Sequence, residues 1–135
     1  MGATMTRRIP LLLVTIAATF GLAGCGGDDQ AEDTNSVEGV RVLETIDVHE
    51  TEYTIRPRTI RLERVAFYGF KVTNDGDESH ALRITGRGLD RRSGPIEPGD
   101  SKTIAVFLKK DGTYRVWCPV DGHAGKGMRA TIVVG

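Results

Sequence analysis

Cysteine is scarce in this chain: 135 residues hold two, Cys25 and Cys118, beside three histidines. Two cysteines build neither a disulfide framework nor a four-cysteine zinc site, and three histidines exclude a polynuclear metal cluster alongside any other histidine-dependent centre. An excess of charge is missing as well. Eighteen Lys+Arg face eighteen Asp+Glu, so the chain carries no electrostatic footprint for nucleic acid. Aromatic residues make up 6%, and no apolar run reaches the roughly 20 residues that a membrane-spanning helix needs. The length excludes a large multi-site enzyme and admits one domain. What is left is a small fold with a site of few ligands.

The balanced charge is unevenly placed. Arg7 and Arg8 precede an apolar run over 9–23, and the first 24 residues contain no acid. This is the pattern of a secretory signal. Leu22-Ala23-Gly24-Cys25 resembles the lipobox of bacterial lipoproteins. That resemblance implies lipidation of Cys25 and an extracytoplasmic protein anchored stably to a bacterial membrane, since more than one acyl chain is then buried. Residues 26–39 hold five acids and no base, as expected of a solvated tether. The expected organisation is a signal peptide over 1–24, a lipidated cysteine and acidic tether over 25–39, and a folded domain over 40–135.

Within the folded part, no stretch keeps helical periodicity long enough to form a main element. Short branched and aromatic runs over 40–48, 53–55, 60–62, 66–73, 82–85, 103–108, 113–118 and 129–134 read as strands. Turn chemistry separates them at Asn74-Asp75-Gly76, 86–88, Glu97-Pro98-Gly99-Asp100 and Lys109-Lys110-Asp111-Gly112, at a spacing that fits a β-sandwich. The class is all-β, one sandwich of seven or eight strands.

Alternation over 113–118 puts Tyr114, Val116 and Cys118 on one face and Thr113, Arg115 and Trp117 on the other. By itself a thiol at the end of a core strand is a small buried hydrophobe. The loop that follows changes that reading. Cys118-Pro-Val-Asp-Gly-His123-Ala-Gly-Lys-Gly-Met128 sets a thiolate, an imidazole and a thioether within eleven residues. Thiolate and imidazole suit copper and zinc, while a thioether adds little for hard cations and points to copper. A second imidazole would complete a site of two His, one Cys and one Met, and His80 stands after the turn at 74–79. His49 has no such context and is expected at the surface.

These residues resemble the cupredoxins, the blue copper proteins. Cys-x4-His-x4-Met is similar to the spacing of auracyanin- and rusticyanin-like members, and Val72-Thr-Asn74-Asp-Gly76-Asp-Glu-Ser-His80 looks like the loop bearing the family's first ligand. The resemblance covers residues 72–135. It implies a Greek-key sandwich, one type 1 copper ion held by His80, Cys118, His123 and Met128, and one-electron transfer with transient protein donors and acceptors rather than turnover of a small-molecule substrate. Ala81 departs from it, because many cupredoxins carry there an Asn that ties the two ligand loops, and a looser surround is therefore expected.

Four other readings compete. Copper delivery, buffering or sensing needs the same ligands without a relay. A zinc site would recruit Asp121 in place of Met128, and a Cys25–Cys118 disulfide would remove the thiolate, although lipidation of Cys25 forbids it. An adhesion-like sandwich would hold no metal. The apolar residues Pro119, Val120 and Ala124 are expected to rim an accessible His123 edge, through which electrons would leave.

Overall fold

A computed structural model describes residues 35–135; the expected signal peptide, Cys25 and the expected tether up to residue 34 lie outside the described residues. The described chain is all-β. A short ribbon of β1 (Ser36–Val37) and β2 (Val40–Arg41) leads into β3 (Thr45–Thr51), β4 (Thr54–Arg56), β5 (Thr59–Leu62), β6 (Ala66–Asn74), β7 (Arg83–Gly86) and β8 (Leu89–Arg92). β9 (Ser101–Leu108), β10 (Gly112–Trp117) and β11 (Arg129–Val134) complete the chain. A five-stranded sheet in the order β5-β11-β10-β7-β8 stands with a four-stranded sheet in the order β4-β3-β6-β9.

Nine strands in two sheets and two in the ribbon exceed the seven or eight expected, for identifiable reasons. β8 reads Leu-Asp-Arg-Arg and has no apolar alternation to announce it. It is an edge strand, where charge is used to discourage pairing with other chains. The run over 40–48 is divided at 42–44, where Leu43 N–H instead donates to Phe67 O and Gly69 N–H to Glu44 O. The ribbon lies partly in the acidic stretch, and its turn is Glu38-Gly39, both at positive φ, as a two-residue hairpin demands. Glu38 is no solvated tether residue: its Oε2 accepts from Arg91 Nη2 and from Ala105 N–H.

Each sheet buries one face, so the core is the layer where the two inner faces meet. Val48, Phe70, Val72, Ile104, Val106 and Leu108 come from one sheet, and Ile84, Tyr114, Val116, Ile132 and Val134 from the other. The predicted parity of β10 holds, with Tyr114, Val116 and Cys118 buried and Thr113 and Arg115 exposed. Buried tyrosines need a partner for their hydroxyls. Tyr114 donates to Lys110 O at 2.7 Å, which closes the turn before β10, and Tyr68 donates to Arg64 O at 2.8 Å.

Strand direction places the functional end. β6 is antiparallel to β9 and parallel to β3, and β10 is antiparallel to β7 and β11. The chain leaves β6 at Asn74 for His80, and leaves β10 at Trp117 for Cys118.

Candidate metal centre

The segment carrying His80 is positioned by the core beneath it. His80 N–H donates to Ile96 O at 3.1 Å and Ile96 N–H to His80 O at 2.8 Å, an isolated bridge that fixes the backbone. Asn74, fully buried, works from inside the turn. Its Nδ2 donates to Glu78 O (2.7 Å) and Ile96 O (2.8 Å), and its Oδ1 accepts from Gly76 N–H (2.9 Å). One amide therefore closes the turn and ties it to the strand partner of His80.

The second segment holds itself. His123 N–H donates to Val120 O, Met128 N–H to His123 O and Cys118 N–H to Met128 O, at 3.1–3.2 Å. The chain thereby coils back on itself, and the backbones of Cys118 and Met128 meet. Gly122 sits at φ +76° within this coil, a conformation glycine adopts without a steric penalty.

The two segments converge. Donor atoms of His80, Cys118 and His123 all lie within 4.8 Å of one another, and all three residues are buried. His80 Nδ1 is 3.2 Å from His123 Nδ1, and Cys118 Sγ is 3.7 Å from His123 Nδ1. The opposite nitrogens are spoken for, since His80 Nε2 donates to Glu52 Oε1 at 2.9 Å and His123 Nε2 to Glu78 Oε2 at 3.0 Å. With each Nε2–H given to a carboxylate, both Nδ1 atoms present lone pairs, and those lone pairs face each other, 3.2 Å apart with no proton between them, beside the Cys118 sulfur. A buried cation is what satisfies such a cluster of acceptors. Two imidazoles and a thiolate suit a borderline or soft ion.

Cys118 is a free thiol. Burial pushes it up, the N–H groups of Ala81 and Val120 act in the opposite direction by donating to it, and the Glu50 carboxyl adds to the upward push. Ala81 therefore serves the sulfur through its backbone. The amide missing at Ala81 is not the segment's anchor here: Asn74 and Glu52 hold the His80 segment. Met128 is fully buried. Asp121 is exposed and stands outside the cluster, and His49 is exposed on Asp75 with Nδ1–Oδ2 at 2.6 Å, as expected of a surface residue.

The accessible imidazole edge expected at His123 is corrected, while Pro119, Val120 and Ala124 are half-buried. His123 is 5% exposed, and its ring packs edge-on against Tyr53 with centroids 5.1 Å apart. Tyr53 O–H donates to Glu78 Oε1 and accepts from Lys126 Nζ. The cover is polar and charged, and it comes partly from the β3–β4 turn. Sequence reasoning missed Glu52, Tyr53 and Glu78, and nothing in their spacing marks them: Glu52 stands 28 residues before the imidazole it meets.

Glu52 Oε1 also accepts from the N–H groups of Asp77 and Glu78 at 2.9 and 2.8 Å. The Glu78 N–H bond foremost, with the bonds from His80 and Asp77, holds its carboxyl below the ordinary value against a smaller opposing effect of burial. Glu50, two residues earlier, is different. It points inward from β3, fully buried, with neither carboxylate oxygen hydrogen-bonded, and burial pushes it up to about 7.

No protein-family model matches the sequence, and no curated protein sequence matches it. Solved structures do. The dithionite-reduced auracyanin of the photosynthetic bacterium Roseiflexus castenholzii superposes with a TM-score of 0.61 at 17% identity, covering 67% of this chain and 96% of its own. Auracyanin B gives 0.64 at 15% identity, over 76% of this chain and 96% of that one. A multicopper oxidase gives 0.56 at 20% identity, over 67% of this chain and 41% of the larger protein. The sandwich has the cupredoxin fold.

Proposed function

We propose that the chain is a blue copper protein that carries single electrons, with one type 1 copper held by His80, Cys118, His123 and the thioether of Met128. The observation that carries the reading is the buried cluster of two Nδ1 atoms and one cysteine sulfur, on a fold shared with auracyanins. Copper so held supplies a one-electron couple, Cu(II) to Cu(I). The residues supply the rest. His80 and His123 present fixed nitrogens, the Cys118 sulfur is steadied by two N–H donors, and the Met128 thioether would add a weak donor that helps set the potential. Four protein donors leave no open position for a substrate, which supports relay rather than hydrolysis or oxygen activation. Burial limits rearrangement between charge states.

The lipobox-like segment at Cys25 supports an extracytoplasmic, membrane-anchored location, with redox proteins as transient donor and acceptor and no part for nucleic acid. Anaerobic copper titration of the purified protein, followed by visible and EPR spectra and a redox titration, tests the reading. One equivalent of copper, an intense thiolate-to-copper band and rapid reversible reduction are expected. Copper released on reduction would favour delivery or buffering. Met128→Gln, an oxygen donor for a soft sulfur, should lower the potential; an unchanged or raised value removes Met128 from the ligand set.

A further inference from the structure

The outer nitrogens of both imidazoles meet carboxylates from outside the donor set. One carboxylate, Glu78, lies in the segment leading to His80 yet reaches His123; the other, Glu52, comes from the β3–β4 turn and reaches His80. Each imidazole is thus oriented by an acid supplied from elsewhere, and the two acids are linked, because Glu52 Oε1 also accepts the Glu78 N–H. A gap in the turn makes this possible. A Cβ at Gly76 would collide with the Glu52 carboxylate, so the absence of a side chain there is what admits it. Gly76 does not have a positive φ; the demand is for space.

We infer that Glu52 and Glu78 are a pair of positioning residues that fix both imidazoles as Nε2–H tautomers with Nδ1 turned to the metal, and that their negative charges lower the reduction potential. The inference rests on the copper reading above. The physical grounds are two. A carboxylate behind a ligating histidine fixes the ring and raises its basicity, and loss of such a partner costs 10- to 100-fold in metal affinity. Two anions beyond the imidazoles favour the doubly charged ion over the singly charged one. The contributions are unequal. Glu52 is 26% exposed with three donors on one oxygen, whereas Glu78 is 48% exposed, where solvent and salt weaken a charge.

The test uses the full chain purified in detergent, with glutamine variants that keep an acceptor oxygen but lose the charge. Glu52→Gln should weaken Cu(II) binding by about tenfold or more and Cu(I) binding less. A tenfold change in the ratio of the two affinities corresponds to a potential about 59 mV higher for a one-electron couple. Glu78→Gln should move the potential in the same direction by less, and its effect should shrink further in high salt. Gly76→Ala leaves the acid in the chain but pushes its carboxylate aside, so it should weaken Cu(II) binding as Glu52→Gln does. It also decides the matter if Glu52→Gln fails to fold. Nitrogen-15 NMR of the metal-free protein should find both imidazoles as Nε2–H tautomers in the wild type, with the His80 preference lost in Gly76→Ala.

Unchanged or lowered potentials in both glutamine variants, with the blue band kept, overturn the inference. So does an Nδ1–H tautomer at either histidine in the metal-free wild type. A wild type that binds copper without the intense band refutes the copper reading instead, and the tautomer result still decides the clamp.

Discussion

The two segments that bring donors to the centre are built differently. The one over 118–128 coils on its own backbone, through bonds from Cys118, His123 and Met128 to carbonyls within ten residues. The one over 74–80 has little of its own. Its own Asn74 amide closes the turn from within, and Ile96 and Glu52 hold it from outside. A self-contained loop tolerates change in its surroundings. A loop held from outside transmits that change to its ligand.

The largest expected effect ignores the distinction, because it removes a donor. Cys118→Ser should abolish the intense charge-transfer band, since a hydroxyl is neither soft nor readily ionised. His80→Ala should weaken copper binding and open a coordination position, while His49→Ala, an exposed residue on Asp75, should leave the spectrum alone. Equal effects from the two histidines would remove His80 from the site.

Next in size is a pH effect on the side that depends on distant partners. Glu50 O accepts the Asp75 N–H at 2.9 Å where β6 ends, and its own carboxyl titrates near 7 in the folded protein against an ordinary 4.5. Between those values the folded state binds more protons than the unfolded one, so stability falls as pH rises from about 4.5 to about 7 and levels off above. The shift corresponds to about 3 kcal/mol. Glu50→Gln should remove that slope in chemical denaturation of the metal-free protein, gaining on the wild type as pH rises to 8. Parallel pH profiles for the two proteins would show that Glu50 titrates normally.

What the sequence made legible follows the same division. Cys118, His123 and Met128 are local, and their spacing carries the chemistry with it. β10 could be oriented by alternation alone, and the turns at 74–76 and 97–100 were marked by their own residues. The partners of the two imidazoles were hidden because contacts between distant segments leave no local pattern: Glu52, which meets His80, and Tyr53, which packs on His123, sit in an ordinary polar turn, and Asn74 reads as a turn residue whether its amide is buried or solvated. β8 was hidden for another reason, being an edge strand of mostly charged residues with Arg83 Nη2 on Asp90 Oδ2 across the hairpin. Ala81 misled, since the family habit draws attention to its side chain while its N–H serves the Cys118 sulfur.

Asn74→Ala sharpens the comparison at the segment over 74–80, where it removes the amide that closes the turn and its tie to Ile96. The substitution strips a partner from two carbonyls and from the Gly76 N–H in a buried position. Unmatched buried polar groups cost about 1–3 kcal/mol, so a loss of about 2 kcal/mol is expected in denaturant unfolding, with weaker copper binding alongside. Full copper affinity in a destabilised Asn74→Ala protein would show that the turn, once folded, needs no amide to hold His80.

Gly122→Ala is the matching change in the self-contained segment, and the smallest effect. Nothing lies within 4 Å of where the new methyl would stand, so crowding contributes nothing, and the cost is that of a side chain at φ +76°. A non-glycine residue in that region costs about 1 kcal/mol or somewhat more. The coil around it keeps its bonds from Cys118, His123 and Met128, none of which uses the Gly122 side. Lys126 N–H, which donates to Gly122 O at 3.2 Å, also reaches His123 O at 3.1 Å, so even a small shift of the Gly122 carbonyl leaves that donor paired. Copper affinity and the visible band should therefore stay at wild-type values while stability drops by about 1 kcal/mol, the reverse of the pairing expected for Asn74→Ala. If Gly122→Ala weakens copper binding as much as Asn74→Ala does, the second segment is no more autonomous than the first, and the contrast between them fails.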